Sequence, residues 1–359
     1  MTRRVARVTA ALLAVSVAAA CSSTPSPTSA STAHAGPAGT GAVGTARPGG
    51  GTSAPVGSSA PGGPTQSVSA APGSSGGPGS QFTVALATLS LPTATTRAVA
   101  FADGSTILLC GGLTAAGTTR DVVQIDPGNA AASVVGRLKH PVHDAAGVTI
   151  GGSNLVLGGG QTAQDAFVQS CVASGTGTEV GALPAPRADL GAVMAGNQAI
   201  VVGGGAFGAA DGRVLATTDG IHFHVIATLP VPVRYAAVAA LGDTVFVVGG
   251  QGATGDVAAI QVVNVSAGTA RIAGQLPAAL SHATALVVGG SLLIAGGRHA
   301  GRALDTMLAI DPKTFAATSV GTLPQRMSDS AGIILGGVGY LIGGEARNPL
   351  ASIVTIAPR

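Results

Sequence analysis

The chain has 359 residues, 46% apolar, 9% charged and 3% aromatic, with 56 glycines, no Trp and a formal charge of +3. Arg3, Arg4 and Arg7 stand at the extreme N-terminus and leave the rest near neutral, so the basic balance does not point to nucleic acid. No Lys/Arg cluster with interleaved aromatics occurs elsewhere, and no apolar run reaches the roughly 20 residues that span a bilayer.

In chain order, those arginines form a charged n-region, Ala10 to Val17 a short apolar stretch, and Ala18-Ala19-Ala20 a small-residue triplet before Cys21. This predicts a secretory signal over 1–20. The cysteine after the triplet resembles a bacterial lipobox, with Ala18 where Leu is usual. The resemblance implies lipidation at Cys21 and an extracytoplasmic protein anchored to the cell membrane; plain secretory cleavage is the alternative. Residues 21–80 are almost entirely Ser, Thr, Pro, Gly and Ala, with Arg47 as the charged exception. Such a composition buries too little apolar surface to offset chain entropy, and it predicts a disordered tether. Its r.m.s. reach is roughly 40 Å.

From residue 81 to 359 a Gly-Gly pair returns at Gly111, Gly159, Gly204, Gly249, Gly296 and Gly343, each time closing a short apolar run. The steps are 48, 45, 45, 47 and 47 residues. Around each pair the unit repeats: a Leu-Pro junction, an Ala/Val-rich strand, a Gly/Asn/Asp turn, an apolar strand ending in the pair, then two further strands. Gly242-Asp243 between apolar runs is a hairpin signal, since both residues tolerate positive φ. Four strands per unit at this period predict an all-β, six-bladed propeller over 81–359. The last unit stops after its third strand, Ile353–Ile356, whereas Phe82–Leu89 resembles a fourth strand. The N-terminal strand is therefore expected to complete the final blade and remove the open sheet edges.

With its Gly-Gly doublets, its blade length and Asp-Pro turns at Asp126-Pro127 and Asp311-Pro312, the chain resembles a kelch-type propeller. It departs from that pattern in lacking the Tyr and Trp that follow the doublet in kelch blades. The resemblance implies that the face carrying the strand-one starts and the loops between strands two and three binds peptides or other proteins.

On that face the sequence places Arg97, His143-Asp144, Arg187 with Asp189, Arg234-Tyr235, Ser281-His282 and Ser328-Asp329, joined by Arg298 and Glu345 from the loops. In a domain so poor in charge these form a polar ring around one mouth of the central channel. Solvation of an ordinary rim is the competing reading of each. Asp121, Asp165, Asp256 and Asp305, at the start of each third strand, read as turn-capping carboxylates. No His-x-His on a facing pair of strands, Cys-x-x-Cys, Gly-x-Ser-x-Gly or phosphate loop points to a metal, nucleophile or cofactor. His222-Phe223-His224 reads as a solvated strand face. Cys110 and Cys171 stay open between a disulfide and two buried small hydrophobes.

These observations lead to an expected monomeric, membrane-anchored binding protein for a protein, peptide or glycan, with no cofactor and with catalysis unsettled. One alternative is a carbohydrate-active enzyme of epimerase or lyase type using the Arg/His/Asp set. The other is an envelope scaffold.

Overall fold

The computed structural model describes residues 81–359; the expected signal, lipidation site and tether lie outside the described residues. Six small antiparallel sheets follow one another along the chain, each running from an inner to an outer strand. Blade 1 comprises Val99–Asp103, Thr106–Cys110, Asp121–Asp126 and Ala131–Arg137. Blade 2 comprises Ala146–Ile150, Ser153–Leu157, Phe167–Ser170 and Glu179–Ala182. Blade 3 is built of Ala188–Ala195, Gln198–Ala206, Arg213–Thr217 and His224–Thr228. Blade 4 is built of Ala237–Leu241, Thr244–Val248, Ala259–Asn264 and Thr269–Gln275. Blade 5 uses Thr284–Val288, Ser291–Ala295, Arg302–Ile310 and Ala317–Met327. Blade 6 uses Ala331–Leu335, Val338–Ile342 and Ser352–Pro358, and its outer strand is Phe82–Ser90 from the other end of the described chain.

The closing strand is held in antiparallel register, with Phe82 opposite Pro358, Val84 opposite Ile356 and Leu86 opposite Val354. Each innermost strand contacts its two neighbours, and the sixth returns to the first, so the ring is shut. The apolar runs have no polar alternation because both faces of a blade are covered. In Thr106–Cys110, Ile107 and Leu109 pack toward blade 6 while Leu108 and Cys110 pack toward blade 2. In blade 4, Val245 and Val247 face blade 3 while Phe246 and Val248 face blade 5. Each of the six blade junctions holds its own apolar cluster.

The glycine doublets fix blade against blade. The first glycine donates its N–H within its own blade, as Gly111 does to Asp121 at 3.0 Å. The second donates to the chain arriving from the next blade: Gly112 to Val142 at 2.7 Å, Gly250 to Leu280 at 2.8 Å, and Gly344 to Thr95 at 2.9 Å, which closes the circle. A Cβ on the first glycine would strike that same incoming carbonyl, 2.6 Å from Val142 O at Gly111 and 2.7 Å from Val233 O at Gly203. All twelve doublet residues have positive φ. In blades 2 and 3 the working pairs are Gly158-Gly159 and Gly203-Gly204, the first two of each glycine triplet, one residue earlier than the spacing read from sequence. The period thereby becomes 47, 45, 46, 47 and 47.

Cys110, at the end of the second strand of blade 1, is joined to Cys171, just past the third strand of blade 2, with Cα atoms 6.4 Å apart. The following turn of blade 2 lays Gly175–Thr176 parallel to Gly136–Arg137 and covers the outer edge of blade 1.

Candidate functional site

Fourteen residues before each doublet, the chain enters a new blade through one residue in left-handed backbone. These six are Arg97, Asp144, Asp189, Tyr235, His282 and Asp329, with φ between 53° and 61°. None is glycine, and this conformation costs an ordinary side chain about 1 kcal/mol or more. Their backbones link into a ring of hydrogen bonds. The N–H of each donates to the carbonyl of its predecessor, from Asp144 to Arg97 at 3.2 Å round to Asp329 to His282 at 2.9 Å, and Arg97 closes on Asp329 at 2.9 Å. The six side chains line a cavity of about 130 Å³ at the mouth of the channel. Next to them the channel is lined by small residues such as Ala98, Ala145, Ala236, Ala283 and Ser330.

Arg97 occupies the middle of the mouth. Its guanidinium lies 3.0 Å from Asp144, 3.5 Å from Glu345 and 3.9 Å from Asp329, and its carbon stands 6.0 Å from the Tyr235 ring on the opposite blade. Its Nε is buried without a hydrogen-bond partner. Arg234 pairs with Asp189 at 2.6 Å and donates to the Tyr235 hydroxyl at 3.3 Å. Arg298 pairs with Asp329 at 3.2 Å and with Glu345. Tyr235 and His282 stack with centroids 3.9 Å apart. His143 sits one step outward, its Nδ1 at 2.9 Å from Thr118 Oγ1 and its Nε2 at 3.6 Å from Asp144.

Burial sets the electrostatics. It pushes the Asp144 carboxyl up to about 7; Arg97 opposes this, and Asp189 and Asp329 reinforce it. Burial also lowers the His282 imidazole, Asp329 partly offsetting it, and lowers His143, with Arg97 adding to the effect. Desolvation works against the Arg97 charge, yet Asp144 and Asp329 hold it above its ordinary value. The Tyr235 hydroxyl is pushed up, first by burial and then by Asp144 and Asp189.

The protonation pattern of His282 follows from its neighbours. Ser281 donates its one hydroxyl proton to Asp256 Oδ1 at 2.7 Å, and Asp256 Oδ2 accepts the Ala300 N–H at 3.0 Å. Ser281 Oγ therefore serves as acceptor toward His282 Nδ1, 2.8 Å away. The ring hydrogen sits on Nδ1, and the Nε2 lone pair is left on the cavity side, 3.9 Å from Asp329 Oδ1.

Arg97, Asp144, Tyr235, His282 and Asp329 are thus brought together, with His143, Arg234, Arg298 and Glu345 beside them. Arg187 is the correction. It is 3% exposed, pairs with Asp211 and donates to the Arg213 carbonyl at 3.2 Å, inside the wall of blade 3 rather than in the mouth. The left-handed residue follows two positions later, so the mouth position of that blade belongs to Asp189. Asp256 was read from sequence as a turn cap; it instead reaches the next blade to hold Ser281. No spacing rule couples those two residues, which are 25 apart and meet only through the blade junction.

The sheets define a six-bladed β-propeller. No family model matches the chain, and no curated protein matches it. Among solved structures it is similar to one described as "Structure of YjhT", with a TM-score of 0.65 and 15% identity over 75% of this chain and 97% of that one. At that identity the likeness bears on the fold alone.

Proposed function

We propose that the chain is a binding protein of kelch-like type whose polar mouth takes up part of a protein, peptide or glycan. The observation that carries this reading is the ring of six large polar residues in left-handed backbone. A glycine at each position would be free of conformational strain, and the blade entries use backbone hydrogen bonds that any residue supplies. Strain retained at six equivalent places, all opening on one cavity, fits side chains kept for contact with a ligand. Phe207, 90% exposed on the loop between the second and third strands of blade 3, adds an apolar contact residue on that face.

Gln81 and Arg359 meet at the opposite face, where Arg359 donates to the Gln81 carbonyl at 3.0 Å. The test is capture from solubilised envelope by the full chain and by its Arg97→Gly and Arg234→Ala variants. Loss of the captured species at unchanged melting temperature supports the reading; equal capture by all three contradicts it.

One observation favours a second reading, a carbohydrate-active enzyme of epimerase or lyase type. Asp144 and His282 stand three blades apart, on opposite walls of the mouth, one able to hold a proton near neutrality and the other a neutral base. Here His282→Asn would abolish turnover of a sugar while leaving its binding intact; binding without turnover by the unaltered chain would contradict it.

A further inference from the structure

The charges of the mouth are already spent on one another. Arg97, Arg234 and Arg298 face four carboxylates, Asp144, Asp189, Asp329 and Glu345, and each guanidinium has at least one carboxylate partner. An incoming carboxylate or phosphate would have to displace one of these pairs and would meet the remaining acidic groups at short range, an arrangement that costs binding energy. A cation fares no better, since Arg97 already fills the centre of the acidic cluster.

What remains unspent is of two kinds. His282 Nε2 offers a lone pair to the cavity because Asp256 and Ser281 hold the ring hydrogen on Nδ1. Arg97 Nε is a donor without a partner, but it is enclosed and does not open on the cavity. A group that serves His282 must donate a hydrogen bond without bringing a charge into the paired cluster, as a hydroxyl does and a carboxylate or ammonium does not.

We propose that the mouth recognises a neutral polyhydroxylated ligand, the end of an uncharged glycan, with one hydroxyl donating to His282 Nε2. This rests on the mouth being the binding site and names the class of ligand it takes. The near-neutral titration of Asp144 is consistent with it, because a protonated carboxyl adds a second donor on the opposite wall.

The test is saturation-transfer NMR of the full chain with a mixture of maltose, cellobiose, chitobiose and trehalose, set against glucuronate and glucose 6-phosphate, each at about 10 mM, which detects millimolar affinity. Transfer to at least one neutral disaccharide, with none to the anionic sugars, supports the proposal. His282→Asn keeps an amide able to donate to Ser281 but removes Nε2, and it should weaken that binding about tenfold, the worth of one hydrogen bond. Transfer to the anionic sugars alone, or to none of the sugars, overturns it. Mouth-dependent capture of an envelope peptide beside a silent sugar panel would leave the binding reading standing and sink this one; capture indifferent to mouth substitutions would sink both. A second measurement needs no ligand: two-bond proton–nitrogen correlation spectra should show His282 neutral with its hydrogen on Nδ1 at about pH 7, and Ser281→Ala should release that preference. A hydrogen on Nε2 in the unaltered chain overturns the proposal.

Discussion

Asp144 and Gly296 share a left-handed backbone for opposite reasons. At Gly296 a Cβ would collide with the Met327 carbonyl of the neighbouring segment, whereas the Asp144 side chain opens into the mouth. Gly296→Ala should therefore cost about 3 kcal/mol, combining strain and overpacking. Gly336→Ala, at φ 59° with open space around it, should cost about 1 kcal/mol; chemical denaturation of the two variants checks the contrast. Asp144 also carries a pH signature. Its folded value near 7 lies above the ordinary 3.8, so the folded chain holds the extra proton between them. That contribution to stability is full below about pH 4 and is lost as the pH rises through about 7. His143 and His282, lowered by burial, slope the other way, so the useful quantity is Asp144→Asn against the unaltered chain at each pH. The advantage of the Asn variant in melting temperature should grow between about pH 4 and pH 8; a flat difference would count against the buried, proton-holding carboxyl. All six left-handed residues were legible as mouth candidates because each opens a first strand, Asp189 only in company with Arg187. The exclusion of Arg187 was not legible, since nothing in Arg187-Ala188-Asp189 says which charge turns inward.

At the level of the strand and loop, the glycine doublets were readable because their job is written in backbone geometry that only glycine fulfils at a crowded positive φ. The exact pair within Gly158–Gly160 and Gly203–Gly205 was not, as three glycines in a row offer two frames. The Cys110–Cys171 link could not be decided from sequence either, because two strands of different blades must first be stacked before their separation exists. It now ties the first two blades across 61 residues of chain. Replacing both cysteines by Ala should lower stability by about 4 kcal/mol while the far-ultraviolet dichroism keeps its strand signature. An unchanged denaturation midpoint would show that the apolar junction alone holds these blades.

At the scale of the whole ring, closure depends on the strand Phe82–Ser90 and on Leu91 behind it. Leu91 donates to the Ala351 carbonyl at 2.8 Å, just as Leu138 does to Arg120 and Leu276 to Ala258, each at 2.7 Å, so the N-terminal segment is a full member of blade 6. A chain lacking residues 81–90 leaves Ser352–Pro358 as an open edge and should lose its cooperative melting transition and aggregate; a sharp transition near the original temperature would contradict that. The circular architecture was visible in the sequence as a period and as a missing fourth strand. The relay from Asp256 through Ser281 to His282 was not, since it exists only where blade 4 meets blade 5.

The most direct test of the central claim, that strained polar residues are kept at the mouth for a ligand, is the melting temperature of Asp144→Gly measured together with its retention of envelope material. Glycine relieves the left-handed strain and removes one of four crowded carboxylates, so the transition should rise or hold while retention is lost. A lower transition with retention intact would mean that Asp144 serves the fold and not a ligand.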